Sequence, residues 1–154
     1  MKSSIEDVRY FLNNAIIPLR LSCTTESGWP SILSLWYLYQ DKKLYCATRE
    51  SARIVTYLRS NPQCGFEIAA DNPPYCGIRG QAIAEINKTL GTNILEKLLQ
   101  RYLGGLDNSL AKNLLSNKEQ EVAIVLDPLN VFKWNFSSRM QDVISEKDKH
   151  KVCP

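Results

Sequence analysis

The stretch Thr48-Arg49-Glu50-Ser51-Ala52-Arg53 gathers two guanidinium groups and two hydroxyls where a strand pattern gives way to a helical one. Unsatisfied backbone N–H groups at a helix start attract anions, and the helix macrodipole acts in the same direction. Arginine in a first turn disfavours the helix but favours a bound phosphate, whose oxygens a guanidinium can grip in pairs. Thr48, Arg49, Ser51 and Arg53 therefore read as a phosphate cradle. The plainer alternative is a capped helix with solvated arginines.

A second polar set lies upstream. From Leu19, the residues Leu21 and Cys23 alternate with Arg20, Ser22 and Thr24, so Arg20 and Ser22 share the polar face of a strand. Other chemistry is poorly supplied. The only histidine, His150, sits in a charged C-terminal segment, which removes histidine triads, histidine-bound metals and a conventional haem ligand from the core. No paired-carboxylate site or activated serine emerges, so any catalysis would fall to a cofactor held and oriented by the protein.

The five cysteines include no C-x-x-C pair, and the spacing gives little support for zinc. Cys23, Cys46, Cys64 and Cys76 fall in strand patterns and Cys153 in the tail, so reduced, buried thiols in a cytoplasmic protein are expected. The N-terminus MKSSIEDVRYFL is polar where a secretion signal needs an apolar core, and no run is apolar enough to span a membrane. A net charge of +3, with nineteen cations interleaved among sixteen anions, argues against nucleic-acid binding.

The elements that must position these residues follow from periodicity. Ser3 and Glu6 form a capping box before Ile5, Val8, Phe11 and Leu12, which predicts a helix to about Asn14. Strands are expected at Leu19–Thr24, Ser31–Tyr39, Leu44–Ala47, Gln63–Ala70, Tyr75–Ile86, Val122–Leu126 and Val131–Phe136, the last two joined by an Asp127-Pro128 turn. The helix opened by Thr48 or Ser51 should run to Ser60. Two more, capped by Thr89 and Asp107, should fill the span between the long strand and Val122.

Ser31–Tyr39 is apolar on both faces, with Ile32, Trp36 and Leu38 on one side and Leu33, Leu35, Tyr37 and Tyr39 on the other. One face should line a barrel interior and the other should meet a ligand or second subunit. Gly77 and Gly80 suggest a bulge, bend or close backbone approach. The fold class expected is mainly β, an antiparallel split barrel of about six to seven strands with flanking helices. Residues 1–136 would form a single domain, and residues 137–154 a charged tail, mobile or draped over a partner.

The segments R-L-S-C-T-T-x-x-G-x-P, S-L-W-Y-L-Y, L-Y-C-A-T-R-E-S-A-R, Y-L-R-S-N-P and I-R-G-Q-A occur here in that order. Together they resemble the pyridoxamine 5′-phosphate oxidase-like family of FMN-binding split β-barrels. The match covers about Ile16 to Ile86, with a weaker echo at Val131–Ser137. The resemblance implies a homodimer with flavin sites between subunits. It implies that Arg20 and Ser22 face the cofactor, that Trp36 and Tyr37 lie beside the isoalloxazine, and that Thr48, Ser51 and Arg53, with Arg49, bind the phosphate. Aromatic residues in strands are usually core, so packing should claim at least one of Trp36 and Tyr37.

Three departures count against pyridoxamine phosphate oxidation itself. Ser51-Ala52-Arg53 replaces the family's S-R-K triplet, Tyr75 stands at a glutamine position, and the C-terminal arginine–histidine segment has no counterpart. The resemblance then implies an FMN-dependent oxidoreductase acting on an unidentified small molecule. The alternatives are a deazaflavin-dependent reductase, using extra cations such as Arg49 and Arg79, or a non-enzymatic flavin- or haem-binding or sensing protein.

Overall fold

The computed structural model describes residues 5–143 and 153–154. Four helices and seven strands follow one another as α1 (Ile5–Asn14), β1 (Leu19–Thr24), β2 (Pro30–Leu35), β3 (Leu38–Gln40), β4 (Lys43–Arg49), α2 (Arg53–Ser60), β5 (Gln63–Ala69), β6 (Cys76–Asn87), α3 (Gly91–Leu103), α4 (Ser109–Leu115) and β7 (Glu121–Asn135). All strand pairings are antiparallel, in the order β2-β1-β5-β6-β7-β4-β3. The first and last strands of that order are consecutive in the chain, joined only by Trp36 and Tyr37. One bent segment thus borders both ends of the sheet, which is how the barrel closes.

Alternation decides what fills the barrel. Leu19, Leu21 and Cys23 of β1, Leu44 and Cys46 of β4, and Val122, Ile124 and Leu126 of β7 all point inward and are buried. Each large aliphatic residue so buried contributes about 1.5–3 kcal/mol. On β2 and β3, Leu33, Leu35, Tyr37 and Tyr39 face this core as expected. Trp36 and Leu38 turn outward and meet α3 together with Ile94, Leu98, Ala123 and Val125. A helix, not a ligand or partner, covers that part of the second face.

Arg101 of α3 reaches the last turn of α1, donating to the carbonyls of Asn13 at 2.7 Å, Leu12 at 3.1 Å and Ala15 at 2.9 Å. Those carbonyls lack intrahelical donors, and a cation suits that pole of the helix. Gly104 ends α3 in the left-handed conformation at φ 72°.

Several boundaries differ from expectation. Asp127-Pro128 makes no turn: β7 runs unbroken for 15 residues. Its register with β6 shifts between Gln81 and Ala82, which pair with Asn130 and Pro128 and leave Leu129 as the extra residue. Proline has no ladder N–H to lose at such a bulge. Neither Thr48 nor Ser51 caps α2, since β4 extends to Arg49 and the cap position is Ala52, with no side-chain bond. Leu90, not Thr89, precedes α3, and Asn108, not Asp107, caps α4 by accepting from the Ala111 N–H at 2.8 Å.

The cysteine expectation also needs correction. Cys23, Cys46 and Cys64 are free and buried, but Cys76 is disulfide-bonded to Cys153, so those two are not reduced thiols. The bond ties the C-terminal residues to the start of β6. Ser3, His150 and half of the proposed tail, residues 144–152, lie outside the described residues. Among the described residues, no helix is long and apolar enough to cross a membrane.

Candidate functional site

Where α3 does not cover the barrel, the outer faces of β1, β2, β5, β6 and β7 form an open wall. Register sets its rows. Ser34, Arg20, Glu67, Arg79 and Phe132 follow one another across the strands, and Ile32, Ser22, Gly65, Gln81 and Asn130 form the adjacent row. A cavity of about 530 Å³ opens over these rows. Gly65 leaves its floor low, Ile32 and Phe132 form apolar walls, and Arg20, Arg79, Ser22 and Gln81 supply polar groups.

Arg20 is held in place. Its guanidinium donates to the Ala69 carbonyl at 3.3 Å and forms an ion pair with Asp71. Glu67 stands between Arg20 and Arg79 in register, so charge alternates along the row. The wall is also unusually apolar for a free surface: Ile32 is 70% exposed and Phe132 59%.

A second cavity, of about 300 Å³, lies on the α3 side and is lined by Trp36, Thr48, Arg49, Glu121 and Leu98, among others. Ser34 borders it and pairs in register with Arg20 of the first cavity, so the two approach each other across β2. Trp36 is stacked on Tyr102 with centroids 5.0 Å apart and planes 9° from parallel. Burial raises the Glu121 carboxyl above its ordinary value, and the nearby Arg49 charge offsets part of that rise.

The expected site residues thus fall into separate groups. Arg20 and Ser22 share the outer groove; Trp36, Thr48 and Arg49 share the cavity beneath α3. Ser51 and Arg53 are exposed at the corner that opens α2, bordering neither. The first turn of α2 has no side-chain cap, and its Val55 N–H donates to the Ala52 carbonyl at 2.9 Å. Tyr37 belongs to the core: its hydroxyl donates to the carbonyls of Leu12 and Ala15 at 3.0 Å. Its N–H donates to the Tyr102 hydroxyl at 3.3 Å, so neither end of the residue is free for a ring edge.

Sequence reasoning missed Gly65, Glu67 and Gln81 as groove residues, and Asp71 as the partner of Arg20. Only the pairing of β1 with β5 and β5 with β6 brings them together, and no local pattern encodes that register. The remaining chemistry is sparse. Burial pushes the Cys23 and Cys46 thiols up and that of Cys64 to about 11, which makes them poor nucleophiles. Among the described residues, no group of histidine, cysteine and carboxylate side chains could hold a metal ion. The groove sets Arg20, Glu67 and Arg79, alternating in charge, around an apolar floor and walls, a setting for a partly planar, polar molecule.

Solved structures share this architecture. A conserved hypothetical protein of Mycobacterium tuberculosis superposes with a TM-score of 0.73 at 18% identity, covering 92% of this chain and 89% of its own. An F420 reductase gives 0.66 at 20% identity, covering 79% and 93%. A Listeria innocua protein provisionally assigned as a pyridoxamine 5′-phosphate oxidase gives 0.64 at 15%, covering 83% and 95%. At these identities the likeness shows the fold alone, a flanked split β-barrel. No protein-family model matches the chain, and no curated protein matches it in sequence.

Proposed function

We propose that this protein binds FMN in the outer-wall groove as a homodimer and serves as a flavin-dependent oxidoreductase on a small molecule. The observation that carries the reading is the uncovered groove itself, a low glycine floor flanked by two arginines, a serine and a glutamine. A second copy seated on Ile32 and Phe132 would bury the apolar wall and convert an open groove into an enclosed site.

The residues present fit such a group. The flat floor at Gly65 admits a planar ring, Arg20 and Arg79 favour negative charge, and the uncapped α2 start with Ser51 and Arg53 suits a phosphate. Trp36, Thr48 and Arg49 would stand at the end of the groove nearest β2. Bound flavin would supply the hydride chemistry; this chain's residues would position it, hold charge near it and exclude water.

The test is the colour and content of the purified protein. Flavin absorbance, with FMN released on denaturation and identified by mass, is the expected result. Arg53→Ala should then weaken FMN binding by about 1.5–3 kcal/mol, the scale of a charged hydrogen bond. Unchanged affinity in the folded variant would remove Arg53 from the site. A specific feature favours a second reading, since Arg79 adds a cation to the groove beside Arg20, and Arg49 another near it. Colourless protein that titrates with a deazaflavin, whose tail is longer and acidic, would support that alternative.

A further inference from the structure

A cavity of about 500 Å³ opens between α1, the β3–β4 turn and β7, above the packed barrel core, and shares only Phe66 with the lining of the outer-wall groove. Leu12, Leu44 and Ile78, all nearly inaccessible, form its floor with Phe66. Two charged residues line it, Arg9 of α1 and Lys42 of the β3–β4 turn, and both are cations. The same two border an adjoining cavity that also touches Asp41, whose carboxylate accepts from the Gln40 amide at 3.2 Å. Among the described residues, neither Arg9 nor Lys42 takes part in an ion pair. The acid nearest Arg9 in sequence, Asp7, is engaged by Lys133 at 3.4 Å.

We infer that this cavity binds a single-chain aliphatic carboxylate, its alkyl tail laid along the apolar cleft between α1 and β7 and its head group between Arg9 and Lys42. An apolar cleft with like charges at one end matches an amphiphile of opposite charge. It does not match a neutral oil or a cation. The volume lies within the range of ligand pockets and suits a chain of about ten carbons. Exposed apolar groups at the opening, Ile5 at 79% and Val131 at 42%, would be covered as the chain enters.

The turn geometry bears on this. Asp41 and Lys42 both have positive φ, 51° and 63°, in a two-residue hairpin connection where Asn-Gly is the usual choice. Lysine is a costly occupant of the left-handed region, and glycine would fit it better. Lys42→Gly therefore separates binding from folding: it deletes the cation while relieving the backbone.

Calorimetric titration of the full chain with decanoate, below its micelle concentration, tests the site. Saturable binding is expected, weakened about tenfold in Lys42→Gly and in Arg9→Gln, with the melting temperature of Lys42→Gly unchanged or raised. Val131→Trp should block binding while circular dichroism shows an intact fold. FMN, where bound, should not compete with decanoate. The inference is overturned if decanoate does not bind, or if decyltrimethylammonium binds equally well. It also fails if Lys42→Gly leaves affinity unchanged, or if phosphatidylglycerol vesicles bind where monomeric decanoate does not.

Discussion

Glu121 opens β7 almost wholly buried, opposite Arg49 in the ladder and against the cavity beneath α3. Desolvation raises its carboxyl above the ordinary value of 4.5, and Arg49 opposes the shift without cancelling it. The native chain therefore holds more protons than the unfolded chain from that ordinary value up to the shifted one, and stability falls as pH rises through this window. Glu121→Gln removes the ionisation while keeping the shape. It should melt higher than the parent at pH 7, with the difference shrinking below pH 4.5. Melting curves between pH 4 and 8 decide this; an offset constant across that range would mean that the carboxyl's ionisation is irrelevant. Tyr37 makes the complementary point: burial raises its phenol far above the usual range, and both acceptors of its hydroxyl are helix-end carbonyls. It is a fixture of the core.

At the level of strands, the glycines of β5 and β6 do different work. A Cβ on Gly80 would lie 2.2 Å from the Asn130 carbonyl and 2.7 Å from the Phe66 ring, contacts the backbone of β7 cannot relieve. A Cβ on Gly65 would meet ordinary neighbours, at 3.8 Å and beyond, yet would rise from the groove floor. Gly80→Ala should cost about 3 kcal/mol of stability in urea unfolding. Gly65→Ala should stay within about 1 kcal/mol of the parent and lower flavin affinity about tenfold. Equal losses of stability in the two variants would contradict the assigned roles. Much of this level was legible beforehand. Alternation at Leu19–Thr24 placed Arg20 and Ser22 outward, whereas the double-sided run at Ser31–Tyr39 is covered on both faces only around Trp36 and Leu38, where α3 packs, and Ile32 is exposed. The Gly77–Gly80 spacing anticipated a close approach, which the short Cβ distances at both glycines bear out. What escaped was non-local. Asp127-Pro128 has the composition of a turn, but the continuing ladder with β6 outweighs that local preference. The helix predicted from Thr48 starts later because Thr48 and Arg49 pair with Val122 and Glu121.

For the molecule as a whole, coverage is uneven. α3 shields the wall built from β3, β4 and the first half of β7, whereas among the described residues no helix lies over the wall carrying Ile32, Arg20, Arg79 and Phe132. An apolar face of that kind, with charges of both signs set in rows, is suited to a second copy related by twofold symmetry. Light scattering at micromolar concentration should report a dimer. Replacing Ile32 and Phe132 together by lysine should give a folded monomer with weakened flavin binding. A monomeric parent protein would remove the enclosed site and leave only an open groove. The phosphate cradle shows the limit of reading a sequence at this scale. Thr48, Arg49, Ser51 and Arg53 are contiguous in the chain, but two line a cavity and two face outward from the α2 corner.

The junction at Trp36 and Tyr37 has a further consequence. β2 and β3 each pair with a single neighbour and not with each other, so the sheet keeps two edges, of six and three residues, held side by side only by this bend. Severing the backbone between those two aromatic residues would unlatch the cylinder and let the two margins part.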